Sequence, residues 1–173
     1  MSRLPILAIA VSLLAAGCSD DTPTTPTAPP NKFVFLATLA ASNEVPPITG
    51  AESGASGQAT ITLNVTRDSA NAITSATIDV SSTYSGFPAG SGITLAHIHT
   101  GASGVAGGVL IGMVPSAGEV TFPNGSGSYV RSGFPVSPVD SANLIINNPA
   151  GFYFNVHSAL NPGGVARGQL RLQ

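Results

Sequence analysis

The chain has 173 residues, six of them basic and eight acidic, for a formal net charge of −2, and only 8% of its residues are charged. No cluster of Lys and Arg is present to displace counterions from phosphates, which excludes nucleic acid as a partner. A single cysteine rules out an internal disulfide framework, and 20 glycines with 14 prolines suit a β-protein of many turns better than a helical bundle.

The chain opens on an address label. Arg3 precedes an apolar run from Leu4 to Ala16, which closes in Leu14-Ala15-Ala16-Gly17-Cys18. A run this short, with a basic start and small residues at its end, is a secretory signal and too short to span a bilayer comfortably. Residues 1–17 are therefore expected to be a lipoprotein signal peptide, with Cys18 the lipidated first residue of the mature protein. The alternative is an ordinary secretory signal in which Cys18 is incidental. Ser19 after the cysteine resembles sorting signals for an outer membrane or cell surface, so the expected location is the bacterial cell envelope, with the lipid anchor as the membrane contact. Losing Arg3 makes the mature chain one charge more acidic, and an acylated Cys18 leaves no thiol for redox chemistry.

Residues 18–31 are a linker. Thr and Pro alternate through Thr22-Pro23-Thr24-Thr25-Pro26-Thr27-Ala28-Pro29-Pro30, which cannot build a core and stays extended as a spacer. Residues 32–173, about 140 in number, are near the commonest size for one domain.

Eight runs of β-branched and aromatic residues have strand length. They are Phe33 to Leu39, Thr60 to Thr66, Ile73 to Val80, Ile93 to His99, Val109 to Val114, Glu119 to Phe122, Phe152 to Ser158 and Ala166 to Leu172. One stretch differs: Ser137-Pro138-Val139-Asp140 offers an N-cap and a proline at the first helical position ahead of Ala142, Leu144, Ile145 and Ile146. It predicts a short helix near 138–146, ending by Asn147-Asn148-Pro149 because proline disfavours helical geometry in the preceding residue. No helical crossovers lie between the strands, so the expected fold is all-β: an antiparallel sandwich or Greek-key barrel with one helix.

Alternation assigns faces. Phe152, Phe154 and Val156 point to the core, leaving Tyr153, Asn155 and His157 on the opposite face, which the pattern assigns to solvent. Likewise Ala96 and Ile98 point inward while His97 and His99 share the other face, and Arg167, Gln169 and Arg171 oppose Leu170 and Leu172. All three histidines of the chain thus fall on polar faces. If those faces meet, His97, His99 and His157 form a patch with Asn155, Arg167 and Gln169.

Four motifs in order resemble the CHRD (chordin) domain family. They are Asn43-Glu44-Val45-Pro46-Pro47, Ala96-His97-Ile98-His99-Thr100-Gly101, Phe154-Asn155-Val156-His157-Ser158, and Asn161-Pro162-Gly163-Gly164 with Arg167-Gly168-Gln169-Leu170. The resemblance covers Phe33 to Leu172 and implies an all-β extracellular module, found alone in bacterial secreted proteins and repeated in chordin, an antagonist of secreted signalling ligands. It implies no biochemical activity for the domain. Ser158 stands where the family commonly has threonine, and Val165 where it commonly has a glutamate, which removes a carboxylate from beside Arg167.

Two readings of the histidines follow. Alternate strand residues can aim two imidazoles at one ion, and a third from a distant strand completes a pattern found in zinc and copper sites. Alternatively, the imidazoles hydrogen-bond to Asn155, Tyr153, Gln169 or turn carbonyls and fasten the sheet to the loop at Thr100 to Gly108. The His97-Ile98-His99 segment resembles that of copper-zinc superoxide dismutase, but three histidines cannot supply its two metal sets and its disulfide is impossible here. Other catalytic patterns are missing. There is no Gly-x-Ser-x-Gly elbow, and the glycine-rich stretch Gly101 to Gly108 lacks the Lys-Ser/Thr ending of a phosphate cradle, so it reads as a flexible turn. Glu44 and Glu52 are expected to be solvated carboxylates, with an ion pair between Glu44 and Arg167 as an option. The expected function is an anchored binding or structural module, not an enzyme, with an envelope protein or glycan as partner; the alternative is a zinc- or copper-binding protein.

Cys18→Ser is expected to release the folded domain from the membrane fraction, or to leave the signal uncleaved, since buried acyl chains contribute about 0.8 kcal/mol per methylene. Fractionation with a mass measurement checks it. Unchanged membrane association with normal processing would overturn the anchor.

Overall fold

The structure is a computed structural model that describes residues 28–173; the expected signal segment, Cys18 and most of the expected linker lie outside the described residues. Among the described residues eleven strands are formed: β1 (Lys32–Ala40), β2 (Ser56–Arg67), β3 (Ile73–Ser85), β4 (Ser91–Ile93), β5 (Leu95–Thr100), β6 (Val109–Gly112), β7 (Val120–Phe122), β8 (Gly127–Pro135), β9 (Phe152–His157), β10 (Ala166–Gln169) and β11 (Arg171–Leu172). One α-helix, α1 (Asp140–Asn147), lies among them.

The main sheet runs β6-β5-β9-β10-β1-β2-β3-β8, with β11 also against β1, and every pairing in it is antiparallel. It curls into a nearly closed barrel, and β4 with β7 forms a separate two-stranded ribbon. The β2–β3 connection shows why the chain turns where it does. Asp68 accepts the Ala70 and Ala72 amides on one carboxylate oxygen, both at 2.9 Å, while Asn71 takes the left-handed φ of 64° that its short polar side chain tolerates.

The barrel interior is filled by one face of each long strand. Phe35, Leu39, Ile61, Leu63, Ile78, Ile98 and Phe154 are fully buried there, and Phe122 from the ribbon and Leu170 between β10 and β11 join the same core. Helix α1 packs Ala142 and Ile145 onto this core and stops at Asn147, two residues before Pro149.

Several boundaries differ from the sequence expectation. The run Ile93 to His99 is two strands, because the chain passes from the small ribbon to the main sheet at Thr94, whose amide donates to the His157 carbonyl. Strand β8 has no apolar alternation, since six of its nine residues are exposed, and it exists by pairing with β3 at the sheet edge. The Ser and Thr residues that close β3 are likewise held between β2 and β8. Ser137 is not the helix N-cap: α1 starts at Asp140 after an already helical Val139 and has no side-chain cap, while neighbouring Val136 is drawn into the core.

The largest correction concerns exposure. Alternation along β9 is right about sides, yet all six residues of β9 are buried. Three connections, residues 41–55, 101–108 and 158–165, fold over the polar side of β5, β9 and β10. Tyr153, Asn155 and His157 are therefore covered by loops where the pattern placed them in solvent.

Phe154→Ala is expected to cost about 3–5 kcal/mol, because it empties a fully enclosed site. Tyr153→Phe keeps the ring under its loop and loses only the hydroxyl's bonds to Gly107, so about 0.5–1.5 kcal/mol is expected. Urea unfolding of both variants checks the order, and a reversed order would place the strand one residue out of register.

Candidate functional site

Antiparallel pairing of β5 with β9 sets Leu95 opposite His157, His97 opposite Asn155 and His99 opposite Tyr153. Since His97, His99 and His157 all project to the side away from the core, this register brings them together. Ring centroids are 4.9 Å apart for His97 and His157, 5.4 Å for His97 and His99, and 6.0 Å for His99 and His157. One ring nitrogen from each lies within 4.8 Å of the other two.

Hydrogen bonds decide which nitrogens are available. His157 Nδ1 lies 2.9 Å from the Pro162 carbonyl and His99 Nδ1 lies 3.0 Å from the Gly107 carbonyl. A carbonyl can only accept, so both Nδ1 atoms carry hydrogen and both Nε2 atoms present lone pairs. His97 Nδ1 then donates to His157 Nε2 at 3.0 Å. His99 Nε2 is buried and has no partner at all. Anchoring one ring nitrogen on a backbone carbonyl while the other points at a common centre is how metal-ligating histidines are normally oriented.

The imidazoles are neutral near pH 7. Burial pushes the pKa of His97 down to about 4, and the neighbouring His157 and His99 add to the effect. Burial also lowers His99 and His157, against the opposing pull of their carbonyl partners. At neutral pH the His99 Nε2 lone pair is therefore free of a proton, while that of His157 Nε2 accepts the His97 Nδ1 hydrogen.

The other patch residues surround this cluster in different ways. Asn155 sits in register between His97 on β5 and Arg167 on β10, buried, with its Oδ1 unpartnered. Arg167 is only 4% exposed and donates from Nε to the Asn43 carbonyl at 2.6 Å and from Nη1 to the Val105 carbonyl at 3.0 Å. Its guanidinium carbon lies 4.5 Å from the centre of the Tyr153 ring, which stacks on His99 at 5.0 Å with 10° between planes. Gln169 is not part of the cluster: its amide donates to the Gly101 and Ala150 carbonyls and ties down loop ends.

Both carboxylates expected in solvent are buried. Glu44 is 7% exposed, and its Oε2 lies 3.8 Å from Arg167 Nε, so the ion pair between the two ends of the domain forms inside the protein. Burial pushes the Glu44 carboxyl up to about 7, although the guanidinium pulls it the other way. Glu52, 1% exposed, accepts the Ser158 hydroxyl at 2.5 Å and the Asn161 amide at 2.6 Å. It thereby holds the turn whose Pro162 carbonyl orients His157. Neither role was visible in the sequence, where each acid sits among turn residues; the one available signal was that Glu44 belongs to a motif that recurs with the histidine motifs.

A family model described as the CHRD domain matches residues 35–170. No curated protein and no solved structure matches the chain.

Acid titration tests this electrostatic picture. His97 titrates near 4 when folded and near 6.5 when unfolded, so the unfolded chain binds more protons in between and stability falls as the pH drops through that window. Glu44 runs the other way: its folded pKa of about 7 lies above the ordinary 4.5, so its contribution is complete below 4.5 and is lost as the pH rises through 7. The two trends oppose each other between pH 4.5 and 6.5. Glu44→Gln is expected to give a urea midpoint that rises more steeply with pH over that window than the wild type does; parallel curves would overturn the assignment.

Proposed function

Since the chain belongs to the CHRD domain family, which suggests an extracellular binding or structural module, we propose that this protein is a lipid-anchored, non-catalytic binding module of the bacterial cell envelope whose bound species is one transition-metal ion. His97, His99 and His157 hold the ion. The observation that carries this reading is the unpartnered Nε2 of His99, buried beside two other imidazole nitrogens in a group that spans no more than 4.8 Å. Leaving such an atom without a hydrogen bond costs about 1–3 kcal/mol, a cost that a bound ion removes.

Zinc and copper fit the ligand set. Both take imidazole nitrogen at about 2.0–2.1 Å, so binding draws the three nitrogens in from their 4.8 Å span and replaces the hydrogen bond from His97 Nδ1 to His157 Nε2. Anchoring through Cys18 and the Thr/Pro spacer places the domain outside the cytoplasm, at an outer membrane or cell surface, where an exchangeable ion is accessible. A non-catalytic role agrees with the lack of a nucleophile elbow and of a phosphate cradle in the sequence.

A second reading is binding of an envelope protein or glycan. It is favoured by a groove between residues 44–49 and 160–164, where Val45 and Leu160 are exposed. The two readings are compatible, as none of the three histidines lines the groove.

Zinc(II) or copper, the latter supplied in both oxidation states with copper(I) under anaerobic reducing conditions, is expected to raise the melting temperature of the wild type and not of His99→Ala. At a hundredfold excess over the dissociation constant, the stabilisation is about 2.7 kcal/mol. Differential scanning fluorimetry at neutral pH measures it, and a wild type indifferent to both metals would sink the metal reading.

A further inference from the structure

We propose that the three-histidine cluster is selective for monovalent copper over divalent copper and zinc. This rests on the metal-binding reading above and adds the charge and valence of the ion.

The ligand set is neutral. Among the described residues no carboxylate or thiolate joins the histidines in the cluster, and the two buried acids are engaged elsewhere, Glu44 with Arg167 and Glu52 with Ser158 and Asn161. A dication held by neutral ligands keeps its full double charge in a mostly buried place, and the desolvation cost of an ion grows with the square of its charge. A monocation incurs much less of that cost.

A fixed positive charge sharpens the difference. Arg167 and His99 come from the strands on either side of β9, so the Tyr153 ring is layered between the guanidinium and the His99 imidazole. Only the Tyr153 ring lies between the guanidinium, 4.5 Å from its centre, and the His99 imidazole, 5.0 Å from it. Glu44 offsets the guanidinium only in part, because its oxygen stays 3.8 Å away and burial raises its pKa to about 7. Repulsion from Arg167 therefore weighs twice as heavily on a divalent ion as on a monovalent one.

Coordination number points the same way. Three nitrogens converge, two of them locked in orientation by the Pro162 and Gly107 carbonyls, on adjacent strands of fixed register. Copper(I), with a filled d shell, accepts two or three donors without geometric penalty, whereas copper(II) seeks a tetragonal set that a rigid three-nitrogen cluster does not offer. His97, the least buried of the three, is the side from which the ion enters. The ion arrives and leaves as copper(I), so no electron transfer is involved.

The experiment is a set of competition titrations on the full mature chain in detergent. Copper(I) is supplied under anaerobic reducing conditions against a chromophoric copper(I) chelator, and copper(II) and zinc(II) are titrated against chelators of their own. Copper(I) is expected to bind more than tenfold tighter than either dication, and His99→Ala to lose most of that affinity. Zinc or copper(II) binding as tightly as copper(I) would overturn the selectivity while leaving the metal reading intact. Failure of all three ions to bind would overturn both. Arg167→Met, checked for folding by near-ultraviolet circular dichroism, is expected to narrow the gap on the order of tenfold, and Arg167→Lys, which keeps the charge, to preserve it. An unchanged gap in a folded Arg167→Met would overturn the role of the guanidinium; the wild-type order of affinities decides the selectivity even where that variant does not fold.

Discussion

A sheet face rich in polar residues has been buried, and every polar group on it must then find a partner or carry a cost of about 1–3 kcal/mol. That constraint organises the molecule. The outer side of β5, β9 and β10 carries His97, His99, Tyr153, Asn155, His157, Arg167 and Gln169, and three loops lie over it. Loop carbonyls answer most of the demand: Gly107 for His99, Pro162 for His157, Asn43 and Val105 for Arg167, Gly101 and Ala150 for Gln169. The loops are ordered by the side chains they cover, and the side chains are oriented by the loops. The accounting is incomplete at His99 Nε2, Asn155 Oδ1 and Arg167 Nη2, which are buried on this face without a partner.

Arg167 is the point at which these loops meet. It bridges the 41–55 and 101–108 connections through their carbonyls, faces Tyr153 and approaches Glu44. A buried ion pair of this kind contributes little net stability, since desolvation of both charges offsets their attraction. Its value lies in fixing geometry, and breaking it by removing one partner is much costlier than its net contribution suggests. Glycines next to it allow the close packing. A Cβ on Gly168 would come 2.2 Å from the Thr38 carbonyl oxygen on β1, so β10 can approach β1 only without a side chain there. Gly164, at a φ of 132°, lies where a Cβ would meet Asn155 and Glu44.

A further layer stands behind His157. Glu52 binds Ser158 and Asn161, and that turn presents Pro162 to the imidazole. The acid comes from the β1–β2 connection and the turn from the β9–β10 connection, more than a hundred residues apart in sequence. The chain thus commits two buried carboxylates, Glu44 and Glu52, to holding loops in place around three histidines. Such supporting shells keep the side chains they hold from rotating.

Local patterns were sufficient for most of the strands, for the side of each strand on which a residue lies, and for a short helix after Pro138, because these depend on neighbours one to four positions away. Motifs sufficed for the family. Strand β8 was illegible because its polar residues form a strand only against β3, and the solvent exposure of Tyr153, Asn155 and His157 was misjudged because alternation distinguishes two sides without saying what covers the second one. Likewise Glu44 and Glu52 look like surface acids beside prolines, glycines and serines, and become buried only when their loops meet Arg167, Ser158 and Asn161. Sequence alone could place three imidazoles on polar faces. Their convergence required β5 to pair with β9, a contact between residues about 60 positions apart, and pairing at that separation is decided by the packing of the whole barrel, which no local pattern encodes.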